Sequence, residues 1–262
     1  MSCPICAAAE APFAQALVRG RHPAHYLRCS ACGYVHVQQA PWLAEAYADN
    51  ALDALDTGIV ARNLDLAERT AALLAWYRPD CGTGVDHGGG SGLLVRLLRD
   101  RGYDFRWRDP YCSNLFARGF EAEPDAHYDV LTAFEVIEHL TDPLAELRAW
   151  AQQADWLVLS SELLPATDNL PGQWHYYMLE SGQHVGFFTP AALAALAQRL
   201  GLGVASDGRW LHVLGRGRLP SAHFLRLLRK RRWRHWLLRR HRRATLAWPD
   251  QAQLRAQLHG RA

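Results

Sequence analysis

The chain has no run of about 18 apolar residues, so no membrane-spanning helix is expected. Its opening, Met1-Ser2-Cys3-Pro4-Ile5-Cys6, lacks a basic stretch followed by an apolar core, so no signal peptide is read. Cysteine is sparse: six in 262 residues exclude a disulfide-dense scaffold. No internal repeat occurs, and no Gly/Ser-rich linker divides the chain. A hydrophobic fraction of 49% with 21% charged residues excludes disorder throughout. The length exceeds a typical single domain of ~100–200 residues but falls short of two full enzymatic domains. The expected compartment is the reducing cytoplasm.

Charge is unevenly spread. From Arg216 onward there are 14 Lys+Arg and one acid, Asp250, and only Lys230 among them is a lysine. The body before it keeps 15 basic and 25 acidic residues. Composition therefore separates three segments. Residues 1–40 hold four cysteines, residues 41–215 alternate strand-like and helix-like patterns, and residues 216–262 form a basic, helical tail.

The middle segment predicts an α/β fold. Gly84-Val85-Asp86 ends a short strand, and Leu93, Leu94, Leu97 and Leu98 share a helical face. Asp104–Arg108, Tyr128–Phe134 and Trp156–Ser161 read as further strands. Asp142-Pro143 and Thr189-Pro190 are helix starts. Asp207-Gly208 predicts a two-residue hairpin that closes the sheet with one antiparallel strand. Strands alternating with helices imply a mainly parallel sheet.

The strongest chemical signal is Asp86-His87-Gly88-Gly89-Gly90-Ser91-Gly92, a D-x-G-x-G-x-G turn running into a helix. Glycines let the backbone turn sharply and let a ligand approach without Cβ collisions. Free N–H groups at the start of the helix would face that ligand. Asp109-Pro110 follows the next strand, where a carboxylate can bond a ribose. A nicotinamide cofactor also favours a glycine loop, but G-x-G-x-x-G is not matched cleanly.

With Asp109-Pro110 and Tyr128-Asp129-Val130-Leu131-Thr132-Ala133-Phe134-Glu135-Val136-Ile137-Glu138-His139, the turn resembles class I S-adenosylmethionine (SAM)-dependent methyltransferases. The resemblance covers roughly residues 60–215. It implies a Rossmann-like seven-stranded sheet with SAM across its carboxyl ends. By the same resemblance Asp86, His87, Gly88, Gly89, Gly90 and Gly92 surround the methionine part of SAM. Asp109 and Pro110 meet the ribose, and Ala133, Phe134 and Glu135 line the methyl-donating end. The stretch after the fourth strand is similar to members acting on small molecules and sugars. The segment between Asp109 and Tyr128 is short for a third strand and its helix, and Glu121 is the nearest acid for the adenine amine.

Methyl transfer needs an aligned acceptor, exclusion of water and often removal of one proton. Histidine suits that last task. His139 and His184 are the candidate catalytic bases, each with a packing role as the alternative. Trp174-His175-Tyr176-Tyr177 and Gly182–Phe188 predict either rings and polar groups for a polyhydroxylated acceptor or a packed aromatic lid. This stretch resembles bacterial methyltransferases of surface-polysaccharide assembly.

Cys3-x-x-Cys6 and Cys29-x-x-Cys32 have zinc-site spacing. Four protein thiolates leave no open position, so the expected role of the Zn2+ is structural, in a small zinc-ribbon-like module. Incidental or redox cysteines are the alternative. Similar modules precede some sugar and ribosomal-RNA methyltransferases. The tail leaves three readings open: a helix packed on the body, attachment to an anionic membrane at its inner face, and contact with nucleic acid. The expected function is methyl transfer to a hydroxyl or carbon of a small, carbohydrate-like acceptor. The alternative is an RNA methyltransferase docking through the zinc module and tail. The sequence leaves the oligomeric state open.

Overall fold

The computed structural model describes residues 2–48, 56–167 and 169–259. The elements in chain order begin with β1 (Glu10–Val18), β2 (His22–Cys29), β3 (Val35–Val37), α1 (Leu43–Ala48) and α2 (Ile59–Tyr77). They continue with β4 (Thr83–His87), α3 (Leu93–Arg99), β5 (Asp104–Arg108), β6 (Tyr128–Phe134), α4 (Pro143–Gln153) and β7 (Ala154–Ser160). After these come β8 (Gly186–Phe187), α5 (Pro190–Arg199), β9 (Gly203–Ser206) and β10 (Leu211–Gly215). The tail supplies α6 (Ala222–Leu227), α7 (Arg231–Arg240) and α8 (Ala247–His259).

The chain divides into two compact units. One comprises Met1–Thr57, Phe134–Gln152 and Val158–Ala222; the other comprises Gly58–Ala133, Gln153–Leu157 and His223–Ala262. A mixed six-stranded sheet has the order β5-β4-β6-β7-β10-β9, and β7 supplies residues to both units. β4 runs parallel to β5 and β6, whereas β9 and β10 are antiparallel.

The count is six strands, against the seven expected from the resemblance. Between β5 and β6 only one bridge forms, Trp107 to Glu121. The short segment there is spent on bends stitched by side chains: Asn114 donates to Glu121 (2.8 Å), and Gly119 N–H reaches the same carboxylate (3.0 Å). The closing hairpin also differs from expectation. β9 ends at Ser206 and β10 begins at Leu211, so four residues rather than two make the turn. The Asp207 carboxylate accounts for this by accepting from the N–H groups of Arg209, Trp210 and Leu211 (2.7–3.1 Å). Thr189 caps α5 as predicted, accepting from Ala192 N–H.

In the first unit, β1, β2, β3 and β8 form a second, antiparallel sheet. Its apolar face packs Tyr26, Val35, Trp42, Trp174, Tyr177 and Phe187 into one core. In the other unit, α2 buries Leu66, Ala67, Ala71, Leu73 and Leu74 on one face. The tail completes that unit. Arg234 pairs with Asp65 (2.7 Å) and Glu68 (3.1 Å), and Phe224 meets the Tyr77 ring edge-on. Arg99 donates to Asp250 through Nε (2.8 Å) and Nη2 (2.7 Å), and Arg96 joins them (2.8 Å). Phe224, Leu225, Leu228 and Leu237 are buried, while Trp236 is exposed.

Candidate functional site

Strand β4 delivers the glycine turn. Gly88, Gly90 and Gly92 have φ of 70°, 54° and 83°, values that disfavour any residue with a Cβ. The N–H groups of Gly88 and Gly89 donate to the Arg108 carbonyl at the end of β5 (2.9 and 3.2 Å). Trp107 Nε1 donates to the Gly90 carbonyl (2.8 Å). A Cβ on Gly89 would meet Trp107 at 2.9 Å, whereas one on Gly90 would enter open space. The turn is thus pinned from one side and open on another.

Two carboxylates flank it. Asp86 is buried and accepts from the Thr132 hydroxyl (2.6 Å). Burial pushes its carboxyl up to about 7; the Thr132 bond opposes this, and the charge of Asp109 adds to it. Asp109 is a hub for the turn. Its Oδ2 accepts from Gly90 N–H (2.9 Å), and its Oδ1 from Tyr111 and Cys112 N–H (both 2.8 Å). A carboxylate has about four acceptor positions, so room for one further donor remains. Pro110 follows on the exposed edge, and His87 is held down to about 4 by burial and by Arg108.

Beyond β6 lies a polar cluster of the first unit. Ala133 is buried, and Phe134 is half-buried. Glu135 has φ 54°, a left-handed conformation unusual for a side-chain-bearing residue. Ser160 holds it there, accepting from Glu135 N–H (2.9 Å) and donating to Glu135 Oε1 (2.7 Å). The Tyr176 hydroxyl reaches Glu135 Oε2 (2.9 Å) and Glu138 Oε1. Glu138 is fully buried; burial and the charge of Glu135 push its carboxyl well above the usual range. Its Oε2 has no hydrogen-bond partner.

Both histidines expected from the sequence belong to this cluster. Their rings lie 4.8 Å apart, edge to face. His184 Nδ1 is 2.6 Å from the Tyr176 carbonyl, and His139 Nδ1 is 3.3 Å from the Tyr47 hydroxyl. Burial holds His184 down to about 4 and His139 well below the usual histidine range, so both stay neutral at pH 7. The cluster's Glu138 and Tyr176 were not singled out from sequence. Glu138 sits inside the motif that was quoted, but its neighbour His139 drew the chemical reading. Tyr176 was read only as one ring among several.

The aromatic stretch needs correcting as an acceptor platform. Trp174 and Tyr177 are buried among Tyr26 and Phe187, with ring centroids 4.3–5.8 Å apart. The Gln183 amide donates to the Ala46 carbonyl (2.8 Å). These groups pack into the core under the four-stranded sheet, which favours the packed lid over the acceptor platform.

The four expected cysteines converge. Sγ of Cys3 lies 3.7 Å from that of Cys32, and Cys6 3.4 Å from Cys29. All four sulfurs lie within 4.8 Å of one another and none is disulfide-bonded. Left-handed Ala7 and Gly33 close the two knuckles, donating N–H to the carbonyls of Cys3 and Cys29. Burial raises the Cys29 thiol, but the N–H groups of Cys32 and Ala31 outweigh it and bring the group down to about 7.

A family model described as a methyltransferase domain matches residues 60–207, more than half of the chain. No curated protein matches. Similar solved structures include the mitomycin 7-O-methyltransferase MmcR, at 19% identity and TM-score 0.48, covering 66% of this chain and 60% of that one. CalO1, a methyltransferase of calicheamicin biosynthesis in its SAH-bound form, shows 18% identity and TM-score 0.47, over 66% and 61% of the two chains. Human N-acetylserotonin methyltransferase in complex with SAM shows 17% identity and TM-score 0.43, over 57% and 52%. The chain thus spans about three fifths of the length of MmcR. With the glycine turn between β4 and α3 and the family match running through it, this chain belongs to the methyltransferase domain family.

Proposed function

We propose that the chain transfers a methyl group from SAM to a hydroxyl or carbon of a small, sugar- or glycan-like acceptor. The observation that carries this reading is the turn after β4: three left-handed glycines, an open side at Gly90, and carboxylates at Asp86 and Asp109. When bound, SAM supplies an electrophilic methyl group on a positively charged sulfur. His87 and the glycines give it a close backbone approach, and Asp86 provides a carboxylate for its positive charge. The remaining acceptor position of Asp109, next to Pro110, takes a ribose hydroxyl. Ala133, Phe134 and Glu135 border the methyl end.

His139 and His184 are read as the groups that activate the acceptor. Held neutral, each keeps a lone pair that can accept a hydrogen bond from the acceptor hydroxyl across the physiological range. The hydrogen-bonding set around them, Glu135, Glu138 and Tyr176, suits a hydroxylated molecule better than an apolar one. The cysteine quartet (Cys3, Cys6, Cys29, Cys32) is read as a structural Zn2+ site, because tetrahedral zinc with sulfur at ~2.3 Å places sulfurs about 3.8 Å apart. The tail is read as a packed part of the enzyme, the reading that its ion pairs support.

Calorimetry with S-adenosylhomocysteine is the first test, with micromolar binding expected; no heat from folded protein sinks the donor assignment. A thermal-shift panel of nucleotide sugars in its presence then ranks acceptors, since stabilisation follows mass action. Less than half an equivalent of zinc in protein purified without chelators counts against the thiolate site.

A further inference from the structure

The polar cluster of the first unit carries more than a base assignment. Donor atoms of Glu138, His139 and His184 lie within 4.8 Å of one another. A common ion ~2.1 Å from each donor needs them about 3–4 Å apart. Side-chain rotations of about an ångström close that gap.

Each donor is prepared differently. A carbonyl oxygen only accepts, so His184 Nδ1 carries the hydrogen that it gives to Tyr176, and its lone pair is on Nε2. Metal-bound histidines are oriented by this kind of bond. His139 has its Nδ1 toward Tyr47, which leaves Nε2 for a ligand. Glu138 is the most telling. It is completely buried, one oxygen has no partner, and among the described residues no Arg or Lys pairs with it. Its other oxygen shares the Tyr176 hydroxyl with Glu135, and one hydroxyl hydrogen cannot serve two carboxylates. With Glu135 and Glu138 both ionised the cluster has surplus acceptors and no positive charge, a surplus that a proton or a cation on Glu138 removes.

We propose that Glu138, His139 and His184 bind a divalent transition-metal ion. Two imidazoles and one carboxylate suit zinc, iron, cobalt or manganese better than calcium or magnesium. Three protein donors leave open positions, the mark of a site that takes a further ligand. An acceptor hydroxyl at such a position would be acidified by the ion's charge. That last role rests on the methyl-transfer reading; the binding of the ion does not.

The test is metal content. Full-length wild type, His184→Ala and Glu138→Gln are saturated with Zn2+, desalted and measured by atomic emission, with circular dichroism as the folding check. The cysteine quartet is identical in all three. Each variant is expected to hold one equivalent less than wild type, and equal content overturns the site. A second readout needs no variant. Wild type loaded with Co2+ is expected to show paramagnetically shifted, exchangeable imidazole N–H resonances, which thiolates alone do not give. Their absence overturns the proposal even where both variants fail to fold. Loss of S-adenosylhomocysteine binding with metal retained sinks the methyl-transfer reading and leaves this one standing.

Discussion

Two buried acids show how the units differ. In one unit, Asp250 meets Arg99 through both oxygens, with Arg96 added, and these arginines hold its carboxyl below the usual range against the effect of burial. In the other, Glu138 is buried as deeply but keeps one oxygen without a partner. A paired buried ion serves packing, and removing one member leaves the other stranded. An unpaired one is stable only through a proton or a ligand. The contrast separates residues that hold the molecule together from residues that await chemistry.

The largest expected effect breaks the paired side. Asp250→Ala leaves Arg99 buried with Asp104 as its remaining carboxylate, and should lower unfolding free energy by up to about 3 kcal/mol in urea titrations. A loss under about 1 kcal/mol would place the pair among surface bridges and erase the contrast.

Gly90→Ala comes next. A left-handed Cβ costs about 1–2 kcal/mol, with no clash to add. Binding of S-adenosylhomocysteine should fall at least tenfold, because the methyl group enters the open side of the turn. Unchanged affinity would move the donor away from Gly90.

The third concerns Asp86, whose carboxyl is raised to about 7 by burial. The folded state binds this proton more tightly than the unfolded state, so the contribution is complete below about 4 and is lost as pH rises through 7. Stability should fall across that window, and the slope should flatten in Asp86→Asn. Affinity for SAM should run the other way, weakening up to about tenfold per pH unit below 7 as the carboxylate is lost. A flat profile in wild type removes Asp86 from the charge recognition.

Glu138→Gln is the smallest. It keeps shape and the Tyr176 contact, so metal-free stability should change by less than about 1 kcal/mol. A loss as large as that of Asp250→Ala would make Glu138 structural after all.

The glycine turn and cysteine quartet were legible because their geometry is written in local spacing: a turn needs consecutive glycines, and a knuckle needs C-x-x-C. The left-handed angles of Gly88, Gly90 and Gly92 and the sulfur contacts follow from those spacings. The missing seventh strand was half visible, as a shortened segment, but the bonds of Asn114 and Glu121 that use it up were not. The four-residue turn at Asp207 is not legible because Asp-Gly matches a tighter turn equally well. Least legible were partners far apart in sequence. Arg99 and Asp250 are 151 positions apart, and His184 reaches the carbonyl of Tyr176 rather than any motif neighbour. Periodicity predicts which face is buried, not which distant side chain meets it there.

The pairing of Arg99 with Asp250 also sets a schedule. A ribosome adding ~5–20 residues per second presents the arginine roughly 8–30 seconds before Asp250, the partner that engages it through both oxygens. Through that interval the arginine has Asp104 of β5 as a partner but lacks the two-oxygen contact that α8 brings. Chains interrupted before α8 should therefore be the ones that chaperones hold and proteases remove. One acid in an otherwise basic tail makes the emergence of α8 a condition for completing the fold of this unit.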